Sequence, residues 1–181
     1  MTEAGVFRRA ARVFRPWKNG GGETAEIVAA PHGAGIDDFA WRISTAIVAG
    51  SGPFSLFPGI DRVLAVLEGG AVTLTLGGSS HRLDSASAPF AFPGDLPVGA
   101  RLEGAALLDF NVMVRRPLRA TVRRGRFAPA RRAADEAGHL LLLLAERAGL
   151  AQFDLVDLGQ AAPGLIAALA DAPVLEVRIS G

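Results

Sequence analysis

Apolar positions in this chain come in short runs separated by turn-forming residues. In "AVTLTL" (residues 71–76), Val72, Leu74 and Leu76 alternate with Thr73 and Thr75, the period of two that a half-buried strand requires. "AWRISTAIV" (40–48), "RVLAVLEGG" (62–70) and "PFAFPGD" (89–95) are further apolar runs bounded by turn signals and read as strands. "LEGG" and "LGGSS" offer residues that accept positive φ, which predicts a hairpin at each place. The 22 glycines and 11 prolines divide the chain into many such segments, so the pattern predicts an all-β sandwich or barrel.

The C-terminal third carries mixed signals. "AADEAGHLLLLLAERAGL" (133–150) is rich in helix formers, yet Gly138 and Gly149 bracket an apolar run of buried-strand length. "FDLVDLGQ" (153–160) and "VLEVRIS" (174–180) alternate, with "ADAP" as a turn after "LIAAL". Strands are expected throughout this region, and the chain divides into two similar β lobes near residue 115.

Composition narrows the function classes. With 181 residues the chain can bury one large core or two small ones. A formal net charge of +1 supplies no global field for nucleic acid or membrane. The absence of cysteine removes disulfides, thiolate nucleophiles and zinc knuckles. No apolar run reaches the roughly 18 residues of a membrane span, so a soluble, cytoplasmic protein is expected.

The stretch "RPWKNGGGETAEI" (15–27) resembles a phosphate loop only superficially. A Walker loop places Lys after its glycines and before a helix, whereas Lys18 precedes Gly20, Gly21 and Gly22, and "ETAEIVAA" reads as a strand. The glycines would let backbone pass close to another strand or a ligand. Trp17 is then a pocket wall, with Lys18 and Asn19 as a charge and an amide. The alternative is a core Trp17 and a solvated Lys18.

"GPFSLFPGIDRVLAVLEGG" (52–70) has the look of the first cupin motif, and "FAFPGDLPV" (90–98) of the second. In metal-binding cupins, ligand positions upstream of the first motif's turn correspond to places near Ser55, Phe57 and Arg62, and the second motif's His falls at Pro97. A hydroxyl, a ring, a guanidinium and a proline make no divalent-metal site.

Taken in order, "PWKNGGGETAEI", "FAWRISTAIV", "GPFSLFPGIDRVLAVLEG", "FAFPGD" and "LLDFNVMVRR" resemble the HutD/Ves family, a bicupin group associated with bacterial histidine-utilisation gene clusters. The resemblance covers about residues 15–116. It implies two fused cupin-type β-barrel or jelly-roll lobes with few or no helices. Residues 1–115 would form the N-terminal lobe with the Gly-rich loop, and 116–181 the C-terminal lobe, with strand exchange between them allowed. It further implies a small-molecule pocket without the usual cupin metal, no cofactor, and a role in controlling histidine or urocanate breakdown.

The residues themselves point to an anion site. Arg42 and Ser44 share one strand face, opposite Trp41, Ile43 and Thr45. Arg62 stands at the start of the strand "VLAVL". A planar guanidinium pairs bidentately with a carboxylate, and Lys18 adds a point charge. The expected clamp is Arg42 or Arg62, closed by Lys18 and Asn19 and walled by Trp17, Phe54 and Phe57, with Ser44, Ser55 and Glu26 as further ligand-binding residues. In "LLDFNVMVRR" (107–116), Asp109, Asn111 and Met113 form one face that either lines the pocket or pairs internally. The competing explanation pairs both arginines with Glu26, Glu68 or Asp61.

No catalytic residue is assigned. His32 and His81 fall in loop-like and hairpin-like segments, and His139 borders the Leu run; Glu23 and Glu26 are carboxylates that nothing selects as bases. The arginine-rich "RRPLRATVRRGRFAPARR" (115–132) has no nucleic-acid signature and reads as a solvated edge strand. Two classes remain: a non-catalytic binder of a small carboxylate such as urocanate, N-formylglutamate or formate, and a metal-independent isomerase or hydrolase acting on a related acid. Neither nucleic acid nor membrane is an expected partner, and a homodimer is compatible with the sequence.

Overall fold

The computed structural model describes residues 3–130 and 134–181. Apart from a 3-10 turn at Arg9–Ala11 and one short helix, α1 (Pro163–Ala168), the regular elements among them are strands. In chain order these are β1 (Val6–Phe7), β2 (Arg15–Pro16), β3 (Gly22–Ala30), β4 (Trp41–Val48), β5 (Gly52–Pro53), β6 (Ile60–Leu76) and β7 (Ser79–Leu83). They continue as β8 (Phe90–Pro93), β9 (Gly99–Arg115), β10 (Arg119–Arg126), β11 (Glu136–Leu143), β12 (Leu155–Asp157) and β13 (Pro173–Ser180). Two compact units result, one of Val13–Arg116 and one combining the N-terminal segment with Pro117–Gly181.

The Val13–Arg116 unit is built on a sheet ordered β2-β3-β4-β9-β6-β7, with β5 added to β9 and β8 to β6. Its spine is the antiparallel pairing of the two 17-residue strands β6 and β9. The expected turn at "LEGG" is not a hairpin: β6 runs through it, with register shifts at Val66/Glu68 and Gly69/Ala71. A Cβ at Gly69 would lie 2.3 Å from the Ala106 carbonyl oxygen, and one at Gly70 2.2 Å from that of Ala105. Glycine here therefore permits a bulged, bent strand to stay close to its partner. The turn at "LGGSS" is a hairpin as expected, with Gly77 and Gly78 at φ 55° and 80° between β6 and β7. Val48, Leu64, Val66, Val72, Leu74, Phe92 and Leu107 lie in its core, and Trp17 and Phe54 pack against them.

The second unit is a sheet ordered β1-β12-β11-β13-β10. Residues 136–143 form a strand despite their helix-favouring composition, paired on one side with β12 and on the other with β13, and Leu140, Leu141, Leu142 and Leu143 are all fully buried. "LIAAL" is a correction: it belongs mostly to α1, not to a strand. Pro163 starts the helix, and Leu165, Ile166 and Leu169 pack on the core of Phe127, Leu141, Leu143, Val156 and Val174. A short apolar run has no decisive period, so helix and strand were not separable from sequence there.

The first residues side with this second unit rather than with the N-terminal lobe. Val6 and Phe7 pair with Val156 and Leu155. Buried Asp154 accepts hydrogen bonds from the Arg9 backbone N–H at 2.6 Å and from the Arg8 guanidinium at 3.1 Å. The arginine-rich β10 is the sheet's outer strand, where cations discourage further pairing; Arg131 and Arg132 lie outside the described residues. No helix among the described residues is long and apolar enough to cross a membrane.

Candidate functional site

Three strands of the Val13–Arg116 unit place their side chains in rows. Central β9 contributes Asp109, Asn111 and Met113, all on one face by the period of two. On β4, Ala46, Ser44 and Arg42 stand opposite these three; on β6, Val66, Leu64 and Arg62 do so. The other face of the same strands carries Ile43, Thr45, Phe110 and Val112, each 0% exposed. The polar face opens into a cavity of about 540 Å³.

Of the residues singled out from sequence, Trp17, Lys18, Asn19, Arg42, Ser44, Phe54, Ser55, Phe57, Arg62, Asp109, Asn111 and Met113 all line this cavity. Glu26 does not. It is exposed on β3 and accepts a hydrogen bond from Arg42 Nε at 2.8 Å, outside the lining. Pro16, Thr24, Ile36, Ala46 and Pro53 also line the cavity and were not foreseen. Ala46 carried a signal, since it shares strand parity with Arg42 and Ser44; Ile36 and Pro53 come from irregular or very short segments and carried none.

The Gly-rich loop is ordered by its own bonds. Trp17 N–H donates to the Gly22 carbonyl at 2.8 Å, and Gly20, at φ 71°, returns its N–H to the Trp17 carbonyl. The Asn19 side-chain oxygen accepts from Gly21 N–H at 3.0 Å. A Cβ on Gly22 would lie 2.3 Å from the Ile47 carbonyl oxygen and against the Trp17 ring. Glycine thus seats the indole on the β3–β4 pair, where Trp17 Nε1 donates to Thr24 Oγ1 at 2.7 Å. Trp17 both packs on the core and walls the cavity, and Lys18 is held at its rim, exposed.

The two arginines differ. Arg42 is ion-paired with Glu26. Arg62 is 7% exposed, and its Nε has no hydrogen-bond partner among the described residues. Its guanidinium lies over Phe92, Phe54 and Phe57 at 5.1, 5.2 and 5.4 Å from the ring centroids. Burial pulls it down to about 10, against the opposing charge of Asp109. Desolvated cation–π contacts return roughly 1–2 kcal/mol each, while burying an unpaired ion costs on the order of several kcal/mol. Together the three rings return an amount of the same order as that cost, while the Nε–H is left without an acceptor, an arrangement chemically suited to an anion. Of the competing ion pairs, Arg42 with Glu26 forms, whereas Asp61 pairs with neither pocket arginine and binds Arg116 at 2.9 Å.

Asp109 is 4% exposed, and its Oδ1 accepts the Ala46 N–H at 3.0 Å. Burial pushes its carboxyl up to about 7, opposed by the Arg62 charge and by that hydrogen bond. Beside it, Asn111 Oδ1 is buried and without a partner among the described residues. Thus three cations, one carboxyl and unfilled donors and acceptors meet in one cavity. This set suits an anion and does not fit a divalent metal, whose ligands would be carboxylates or imidazoles. The histidines named from sequence stand elsewhere: His81 is half-buried against Phe90, and His139 is buried in β11.

The HutD family model matches residues 9–167. The chain belongs to the HutD family. Among relatives, Protein Ves of Citrobacter koseri is 48% identical over 102 residues, covering 55% of this chain and 52% of that protein. An uncharacterised 21.2 kDa protein in the hutC 3' region of Pseudomonas putida is 39% identical over 113 residues, covering 62% of this chain and 59% of that one. The chain thus matches about half the length of the Ves proteins. HutD from Pseudomonas fluorescens SBW25 superposes with a TM-score of 0.73 at 30% identity, covering 98% of this chain and 94% of that chain. Within this HutD-family chain, the matched span contains every cavity-lining residue.

Proposed function

We propose that this protein is a metal-independent bicupin that binds a small carboxylate in the Arg62 cavity and acts as a regulator or sensor linked to histidine or urocanate degradation. The observation that carries this reading is Arg62, a buried guanidinium facing a cavity with an unpartnered Nε. Arg42 and Lys18 add positive charge at the same cavity, and the aromatic walls suit a flat, partly apolar ligand. Support for the pathway link comes from the P. putida relative in the hutC 3' region. The P. fluorescens HutD structure was determined in a formate condition, which keeps a small carboxylate among the ligands to try. A cytoplasmic setting belongs to this reading.

A second reading, a metal-independent enzyme, is favoured by one feature: a buried carboxyl pushed towards neutrality is suited to proton transfer. One experiment separates the two. Urocanate, N-formylglutamate and formate are titrated against the protein by calorimetry, and each mixture is then analysed after long incubation. Saturable 1:1 binding with the ligand recovered unchanged supports the sensor; conversion of a bound acid supports the enzyme. Failure of all three to bind removes the anion site as drawn.

A further inference from the structure

The Arg62 cavity contains its own competitor for an anion. Asp109 shares the cavity with Arg62 and opposes its positive charge. The charged groups facing Asp109 are Arg62 from β6, Arg42 from β4 with Glu26 of β3 bonded to it, and Lys18 from the loop. No histidine lines this cavity. A carboxylate placed on the arginines would meet an ionised Asp109 in surroundings walled by Phe54, Phe57 and Trp17, where like charges are poorly screened.

We infer that the protein binds its carboxylate together with a proton, carried by Asp109, which donates its O–H to the bound anion while Arg62 takes the opposite charge. This deepens the anion-site reading and rests on it. The geometry supports it at three points. Asp109 Oδ1 is already engaged as acceptor of the Ala46 N–H, which leaves the other oxygen to carry a proton. Burial holds the carboxyl at about 7, so protonation at neutral pH needs only a modest further push from the incoming charge. A carboxylic acid kept neutral by its site is a strong donor to an oxyanion. The proton comes from solvent, no covalent bond changes, and Asp109 acts as a specificity-determining residue that favours carboxylates able to accept a short hydrogen bond.

The test uses the full chain with N-formylglutamate, whose carboxyls ionise far below neutrality and whose formamide does not titrate, so proton changes belong to the protein. Calorimetry in two buffers of different ionisation heat counts the protons taken up. The expected result is uptake approaching one proton per ligand near pH 8, vanishing below about pH 6, with affinity falling about tenfold per pH unit above the Asp109 titration. Asp109→Asn, whose amide can still accept the Ala46 N–H and donate to the ligand, is expected to bind with no uptake and no pH slope. Binding by wild type with no proton uptake across about pH 6 to about pH 8.5 overturns the inference and leaves the anion site standing. Uptake that persists in Asp109→Asn also overturns it, by assigning the proton elsewhere. No binding at any pH removes the anion site itself. If the variant does not fold, Asp109→Ser takes its place, with uptake expected to vanish and its persistence overturning the inference.

Discussion

The two units place the same kinds of charged side chain on β-strands and treat them in opposite ways. In the unit formed with Pro117–Gly181, Arg178 on β13 binds Glu136 at 3.0 Å and Glu176 at 2.8 Å, and His139 Nε2 lies 2.8 Å from the same Glu176 oxygen. These charges satisfy one another, and the neighbouring apolar space is filled by α1 and the Leu-rich strand. In the Val13–Arg116 unit, Arg62 faces aromatic rings and an open cavity, with Asp109 as the nearby opposing charge. A strand-borne arginine is therefore a structural ion pair in one place and a candidate ligand clamp in the other. What distinguishes them is whether the fold supplies the partner.

Removing charge at the two arginines sharpens that contrast most. Arg62→Met keeps the apolar stem against Phe54, Phe57 and Phe92 while deleting the charge. It is expected to weaken carboxylate binding about 100-fold with little loss of stability, the value of a charge-assisted hydrogen-bond pair. Arg178→Met is expected to do the reverse, costing about 2 kcal/mol in denaturant unfolding because Glu136 and Glu176 lose a counter-charge. Its carboxylate affinity should equal wild type. If both variants lose stability equally and bind alike, the distinction between closed network and open site is wrong.

The pH dependence of stability probes the next largest effect. Asp109 has its folded-state carboxyl raised to about 7 from an ordinary value of 3.8. Between those values the folded chain holds more protons than the unfolded one, so this residue makes stability fall as pH rises through that range. Thermal midpoints of Asp109→Asn should lack this decline and exceed wild type most at about pH 8. A wild-type curve that rises over the same interval, with the variant parallel to it, would contradict the buried-carboxyl picture.

Lys18 should matter least. It is exposed at the cavity rim, and a solvated point charge contributes little. Lys18→Ala is expected to weaken carboxylate binding about threefold at low salt, with the difference disappearing at about 0.5 M salt. An effect as large as that of Arg62→Met would mean that the loop closes over the ligand.

Much of the cavity was legible before any strand was paired. The parity that puts Arg42 with Ser44, and Asp109 with Asn111 and Met113, is a local property of extended backbone. The HutD-type motif blocks drew attention to the same segments. The misplaced residue is instructive: Glu26 lies on a strand adjacent to the site, yet bonds to Arg42 from outside it. Ile36 and Pro53 were missed because no period marks an irregular segment. The glycine pair at 69 and 70 signals turn and bulge alike, and only the closeness of the Ala105 and Ala106 carbonyls separates the two.

By itself, the sequence determined the alternation of faces, the strand-rich architecture and which residue types could meet an anion, because these follow from backbone geometry within a few residues. Tertiary structure decided that β4, β9 and β6 lie in register, so that residues 42, 62 and 109 share one cavity. It also decided which arginine is satisfied. "DRVL" and "VRIS" look alike as text, but Arg178 meets Glu136 from across the sheet whereas Arg62 meets three phenylalanines. Pairing of strands distant in sequence sets those partners, and no local pattern encodes it.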